Sequence, residues 1–176
     1  MIIKNITKLI DEAIIPAVSL ICGKMIGLFL ASYFLKLNFT LKSGEFLKIL
    51  PAVNFQNLQD YTVAENYSNL AMFIVAAAGT AYVLIRAHYF HESHINPRLH
   101  AKLVSLGQEW LVAPSYHLYH QAVIWLIFLW LTVGFLVLSS ILEITYPQIT
   151  IIAFVIAVNF SWVFALDVEK EIEIST

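Results

Sequence analysis

Residues 121–142 read QAVIWLIFLWLTVGFLVLSSIL, a stretch without a single acidic or basic side chain. A helix needs about 20 consecutive apolar residues to cross a hydrocarbon layer about 30 Å thick, because lipid offers no partner to backbone N–H and C=O groups. Together with His120, this stretch predicts a transmembrane helix over residues 120–142.

Three further apolar stretches are suited to crossing the same layer. They lie at about residues 13–35, 69–89 and 149–166. A cleaved signal peptide is the alternative interpretation of the first stretch, since two lysines precede it, but Asp11, Glu12 and the length of the run argue against cleavage. The chain is therefore expected to be one all-α transmembrane domain, residues 1–176, most simply a bundle of four membrane-spanning helices.

The composition of the chain agrees with a lipid environment. Hydrophobic residues make up 60% of the 176 residues and charged residues 12%, against roughly 45–50% and 25% in soluble domains. The net charge of −2 provides no basic excess to neutralise phosphates, so nucleic acid binding has no electrostatic support. The single cysteine, Cys22, excludes an internal disulfide and a thiolate metal cluster.

The distribution of lysine and arginine predicts the orientation, because positively charged loops stay on the cytoplasmic side. With the N-terminus inside, the cytoplasmic flanks contain Lys4, Lys8, Arg86, Arg98, Lys102 and Lys170, and the opposite side contains Lys36, Lys42 and Lys48. We expect a bacterial inner (cytoplasmic) membrane protein with both termini in the cytoplasm and an extracytoplasmic loop at 36–68.

The loop between the second and third spans carries an amphipathic pattern. Asn96 and Pro97 are typical of a helix N-cap followed by proline at the first helical position. Apolar residues then recur at helical spacing at Leu99, Leu103, Leu106 and Trp110. The pattern predicts a helix over 96–112, which either lies along the cytoplasmic membrane interface or docks on the long helices.

Small residues recur at every fourth position in two of the predicted spans. They are Ser19, Gly23, Gly27 and Ala31 in the first span, and Ala153, Ala157, Ser161 and Ala165 in the fourth. Lipid supplies no hydrophobic force between helices, so grooves of small residues allow the close backbone approach that holds membrane helices together. We expect both grooves to contact helices, either by packing against each other within one subunit or by recruiting a partner protein.

Two polar residues are predicted to lie near the centre of the membrane. Lys24 falls in the middle of the first span, and Asn159 falls at a similar depth in the fourth. A lysine at the centre of a membrane helix costs roughly 2.5–3.5 kcal/mol, so its ammonium should bond inside the protein or reach toward the headgroups. We expect Lys24 to bond Asn159 or an acidic group of another subunit.

All six histidines fall between residues 88 and 120. Neutral imidazole is the commonest protein ligand of transition metals, and His88 with His91, like His117 with His120, is spaced to share a helix face. These four histidines could converge on a metal ion or a haem. The alternative is an ordinary belt of aromatic and amphipathic side chains at the membrane interface.

A short segment before the third span resembles a known family. Residues 107–109 (Gly-Gln-Glu) and 115–120 (Ser-Tyr-His-Leu-Tyr-His), followed by two spans with a proline-containing turn, look like the small four-span membrane proteins encoded with integrating conjugative elements. Here extra residues separate the two elements, and Gln121-Ala122-Val123 stands where that family has basic residues. The resemblance implies a subunit of a secretion or conjugation apparatus.

Three functions stay open at the level of sequence. The first is a non-enzymatic subunit or scaffold that needs no cofactor and associates with other membrane proteins or with copies of itself. The second is a histidine-dependent metal or haem site at the cytoplasmic face. The third is a small transporter or channel formed by several copies, with Lys24 facing a pore. No catalytic residues are predicted, because the sequence has no phosphate-binding glycine loop, no serine nucleophile elbow and no cysteine placed beside a base.

Overall fold

The computed structural model describes residues 2–43, 51–91 and 95–175, with side chains for 12–40, 53–91 and 95–173. The helices are α1 (Ile2–Phe34), α2 (Leu58–Tyr89), α3 (Pro97–Ser105), α4 (Ser115–Ile141) and α5 (Pro147–Ser175), and the strands are β1 (Phe39–Ser43) and β2 (Pro51–Phe55). Helices α1, α2, α4 and α5 are each long and apolar enough to cross a membrane. The predicted class, an all-α membrane protein with four candidate spans, is confirmed.

The long helices extend beyond the apolar stretches that predicted them. α2 begins at Leu58 because Asn57 caps it: the side chain of Asn57 accepts a hydrogen bond from the backbone N–H of Asp60 at 2.7 Å. α5 likewise continues to Ser175. Hydropathy detects the lipid-compatible part of a helix, so the polar turns at these two ends lie outside the predicted spans.

Part of the segment predicted as a loop at 36–68 forms an antiparallel hairpin. β1 pairs with β2 in a register that sets Phe39 opposite Phe55. The rings of Phe55 and Tyr61 meet edge to face with their centroids 6.2 Å apart, which places the hairpin against the start of α2. The described part of the hairpin therefore continues directly into the second long helix.

α2 and α4 are the central long helices. Each of them packs against the other three, whereas α1 and α5 each have α2 and α4 as neighbours. The core between α2, α4 and α5 contains the fully buried side chains of Ala76, Leu129, Leu136, Ala153 and Ala157. This arrangement leaves α1 and α5 at the periphery, with much of their apolar surface uncovered.

The helix predicted over 96–112 is shorter in the structure. Asn96 caps α3 as predicted, accepting from the backbone N–H of Arg98 at 2.9 Å. α3 ends at Ser105, because Gly107 adopts a φ of +66° and donates back to the carbonyl of Val104 at 3.0 Å. The predicted continuation to 112 is wrong, since glycine in the left-handed region stops the helix.

The apolar stripe predicted for this segment is also only partly used. Leu103 is buried, whereas Leu106 and Trp110 are 59% and 64% exposed. The turn that contains Trp110 is held from α2 instead: Arg86 donates from Nε to the carbonyl of Leu111 at 2.8 Å and from a terminal nitrogen to that of Trp110 at 2.9 Å. The guanidinium thus fixes the connection between α3 and α4.

Candidate functional site

A group of polar side chains lies between α1, α2 and α4. The Nζ atom of Lys24 donates to Oε2 of Glu65 at 2.6 Å and to Oδ1 of Asn69 at 2.7 Å. The same ammonium lies 5.1 Å from the ring centroid of Phe135, a cation–π contact. A lysine within an apolar helix is tolerated where its charge is paired and its donors have acceptors. These three contacts meet both conditions.

The group continues to the turn that joins α4 to α5. Nδ2 of the fully buried Asn69 donates to Oγ1 of Thr145 at 2.7 Å, and Oδ1 of Asn66 accepts from the backbone N–H of Tyr146 at 3.0 Å. One amide therefore links the ammonium of Lys24 to the α4–α5 turn. We call this group the polar cluster, and its members are Lys24, Glu65, Asn66, Asn69 and Thr145.

The predicted bond between Lys24 and Asn159 is wrong. Lys24 faces α2, whereas Asn159 is exposed on α5, where its Nδ2 donates to the backbone carbonyl of Val155 one turn earlier at 2.7 Å. The acidic group that Lys24 bonds is Glu65 of the same chain, whereas the sequence had predicted an acidic group of another subunit.

Glu65 was not predicted as a partner of Lys24, because it precedes the apolar stretch assigned to the second span. The signal that could have found it is the spacing of Glu65, Ser68 and Asn69, which places three polar residues on one helix face once α2 begins at Leu58. Ser68 is also turned toward α1, since its hydroxyl donates to the backbone carbonyl of Lys24 at 2.7 Å. This face of α2 thus supplies Glu65 and Asn69 to the polar cluster and turns Ser68 toward α1 beside them.

At the other end of α2, a histidine pairs with a carboxylate. Nδ1 of His88 lies 2.6 Å from Oδ1 of Asp167, and the hydroxyl of Tyr119 donates to Oδ2 of the same carboxylate at 3.2 Å. The three residues belong to α2, α5 and α4 respectively. Asp167 therefore joins the last part of α5 to two other long helices.

The remaining predicted metal ligands have separate neighbours. His91 is buried and its Nδ1 lies 3.5 Å from the hydroxyl of Ser115. Nε2 of His120 lies 3.2 Å from Oε2 of Glu12 on α1. The ring of His117 meets an aromatic neighbour, Tyr116, at a centroid distance of 5.8 Å.

The metal and haem hypothesis requires the four histidines to lie close together. Among the side chains that the structure describes, those of residues 12–40, 53–91 and 95–173, no three histidine, cysteine or acidic groups lie close enough together to hold a metal ion. His88 and His120 point to carboxylates on different helices, Asp167 on α5 and Glu12 on α1. Binding of a metal or haem by His88, His91, His117 and His120 stays a prediction.

The small-residue groove of α1 lies against α2. A Cβ atom added to Gly27 would overlap the Cβ of Ala71, and one added to Gly23 would come within 2.7 Å of Cγ2 of Val75. Such distances are too short for two carbon atoms, so the two helices can approach this closely only with glycine at both positions. In the same groove, Ala31 is buried and Ser19 is half-buried.

The groove of α5 has different neighbours, which corrects the expectation that the two grooves pack against each other. Ala153 and Ala157 are buried against α2 and α4. The hydroxyl of Ser161 accepts from Nε1 of Trp130 on α4 at 3.0 Å, and Ala165 is exposed. The reason is the position of α2 and α4, which supply the neighbours of both peripheral helices.

Chemically, both polar groups connect helices of this chain. The polar cluster joins α1, α2 and the α4–α5 turn, and the carboxylate of Asp167 joins α5 to α2 and α4. Ion pairs and hydrogen bonds of side-chain amides, such as these, fix the relative positions of helices in an environment without water.

Comparison of the chain with protein-family models, with curated proteins and with solved structures finds no match.

Proposed function

We propose that this chain is a non-enzymatic subunit or scaffold of a larger membrane complex, held to its neighbours by helix contacts within the lipid. The observation that carries the proposal is Asn159. Its amide lies on the outer face of α5, midway along the candidate span Pro147–Glu173. An amide that faces hydrocarbon loses its hydrogen bonds to water and replaces only part of them within its own helix, here through the bond from Nδ2 to the carbonyl of Val155. Polar residues inside membrane helices therefore generally face protein.

The surface around Asn159 supports the same proposal. In the most apolar window of α5, 11% of the residues are buried, compared with 44% in α4. α5 is thus the span that the rest of the chain covers least. A neighbouring membrane helix on this face would both cover the apolar surface and form hydrogen bonds with the amide of Asn159.

The contacts of Lys24 in the polar cluster favour the hypothesis of a membrane-complex subunit rather than that of a channel whose pore is lined by Lys24. The ammonium of Lys24 is bonded to Glu65 and Asn69 and lies over the ring of Phe135, all within one chain. A lysine used in this way serves to join helices. The proposal therefore assigns Lys24 to the internal structure of the subunit and assigns the outer face of α5 to partners.

We also place both termini in the cytoplasm of a bacterial cell, with the protein in the inner membrane. Four candidate spans return the chain to the side on which it started. The excess of lysine and arginine in the flanks on that side supports its assignment to the cytoplasm.

The experiment that tests association is purification of the tagged full-length chain from native membranes in a mild detergent. A co-expressed copy with a second tag and mass spectrometry identify what accompanies it. The matched variants are Asn159→Leu, which removes the amide, and Leu131→Ala, which changes another exposed position, on α4, that is 62% exposed.

We expect a membrane neighbour in stoichiometric amount, a smaller yield of it with Asn159→Leu, and an unchanged yield with Leu131→Ala. Recovery of the chain as a lone monomer would overturn the proposal. Equal yields from the parent and Asn159→Leu would also overturn it, because the amide would then contribute nothing to association.

A further inference from the structure

Five residues on α5 follow the spacing of a helix that pairs with another helix. The intervals between them alternate between three and four residues, which is the heptad pattern of a coiled-coil contact. They are Ile152, Val155, Asn159, Trp162 and Leu166. We call these five residues the α5 seam.

The α5 seam is uncovered along its whole length. Ile152 is 55% exposed, Val155 51%, Trp162 66% and Leu166 50%, and Asn159 is exposed as well. The opposite side of the same helix carries Ala153 and Ala157, both fully buried against α2 and α4. The seam therefore points away from its own subunit, toward whatever surrounds the protein in the membrane.

Asn159 is the polar position of the α5 seam. Its Nδ2 donates to the carbonyl of Val155, and among the described residues no further partner is found for its second N–H or for Oδ1. A side-chain amide carries two donors and one accepting oxygen. One donor and the oxygen are thus available on the same outward-facing group.

From this geometry we infer that a second copy of this chain occupies the α5 seam. The inference rests on the proposed association and identifies it as a homodimer. Two copies inserted with the same topology place their α5 helices parallel, so a two-fold axis along the membrane normal sets each seam residue opposite its own counterpart. Asn159 then meets Asn159 of the second copy.

An amide is self-complementary, so the N–H of each Asn159 donates to the Oδ1 of the other. A single asparagine within a heptad seam fixes the register and the number of helices that pair. The seam also has a defined end, because the next heptad position after Leu166 is Glu169, which is exposed. Two carboxylates set opposite each other repel, so the contact is confined to residues 152–166.

Cysteine crosslinking in membranes tests this contact with the full-length chain. The background is Cys22→Ser, because Cys22 is exposed on α1 and would react. Val155→Cys introduces a thiol on the α5 seam, and Leu131→Cys introduces one on the exposed surface of α4 as the matched control. We expect disulfide-linked dimers from Val155→Cys and little or none from Leu131→Cys.

The role of the amide is tested by energy transfer between labelled copies in phosphatidylcholine vesicles. Asn159→Leu should weaken the dimer by about three- to tenfold, the range for interhelical hydrogen bonds within membranes. Asn159→Gln keeps an amide and should retain most of the dimer. Equal crosslinking at residues 155 and 131, or an undiminished dimer with Asn159→Leu, would refute the inference.

The two proposals fail in distinguishable ways. A chain that is monomeric in vesicles but co-purifies with a different membrane protein refutes the second-copy inference and leaves association in place. A chain that is monomeric in vesicles and also lacks any neighbour in native membranes refutes both.

Discussion

Lys24 on α1 and Glu65 on α2 form an ion pair in which Nζ and Oε2 are 2.6 Å apart, between two helices that are each apolar enough to span a membrane. Their side chains are 30% and 18% exposed. Each charge would be costly next to hydrocarbon alone, and the pair removes that cost for both. The contact between α1 and α2 therefore combines this ion pair with the glycine groove beside it.

The first prediction concerns the coupling between the two charges. Lys24→Met and Glu65→Gln should each lower the free energy of unfolding by about 2–3 kcal/mol, since each leaves a partly buried charge without its partner. The double variant should lose less than the sum of the two losses. Unfolding in mixed micelles measures all four proteins. Additive losses would show that the two groups do not stabilise each other.

The second prediction concerns the close approach of α1 and α2. Gly27→Val should cost about 2 kcal/mol of stability or more, because its side chain would collide with Ala71 and come within 3.1 Å of the Cα of Ser68. Gly134→Ala is the control, since a Cβ there meets nothing within 4 Å. Thermal unfolding in detergent compares the two variants, and equal stability for both would be evidence against the groove.

The third prediction concerns Asp167, which receives bonds from both His88 and Tyr119. Asp167→Asn should release the last turns of α5 at a cost of about 1 kcal/mol, because His88 is half exposed and its pair is partly screened. Hydrogen exchange of the amides from residue 167 onward measures the loss. Glu169→Gln, at an exposed position, should leave exchange unchanged, and the account fails if both variants behave alike.

The fourth prediction concerns orientation. In the Cys22→Ser background, Asn38→Cys should react with a membrane-impermeant maleimide on intact cells, and Lys102→Cys should react only after permeabilisation. Both positions are exposed on the protein surface. The opposite labelling pattern would place the termini outside and contradict the count of positive charges.

Hydropathy was sufficient to predict the four long helices, since uninterrupted apolar runs leave no other element that satisfies the backbone in lipid. The cap at Asn96 was also predictable, because the Asn-Pro pair has one well-defined local geometry. Local patterns of this kind depend on neighbours in sequence.

The partners of Lys24 could not be obtained in the same way. Glu65 lies before the apolar stretch of α2, and a hydropathy window excludes it although it is helical. The neighbours of the two small-residue grooves depend on which helices are adjacent. The spacing of residues within one helix carries no information about that adjacency. α3 ends because Gly107 adopts a positive φ, whereas the apolar pattern continues beyond this residue and predicted a longer helix.

Association with other membrane chains is tested most directly by the mass of the protein released from its native membrane in polymer-bounded lipid discs, without detergent or crosslinker. One chain has a mass of 19.9 kDa. We expect a complex that contains at least two membrane chains, and a shift toward single chains with Asn159→Leu. A parent protein present as isolated 19.9 kDa chains would contradict it.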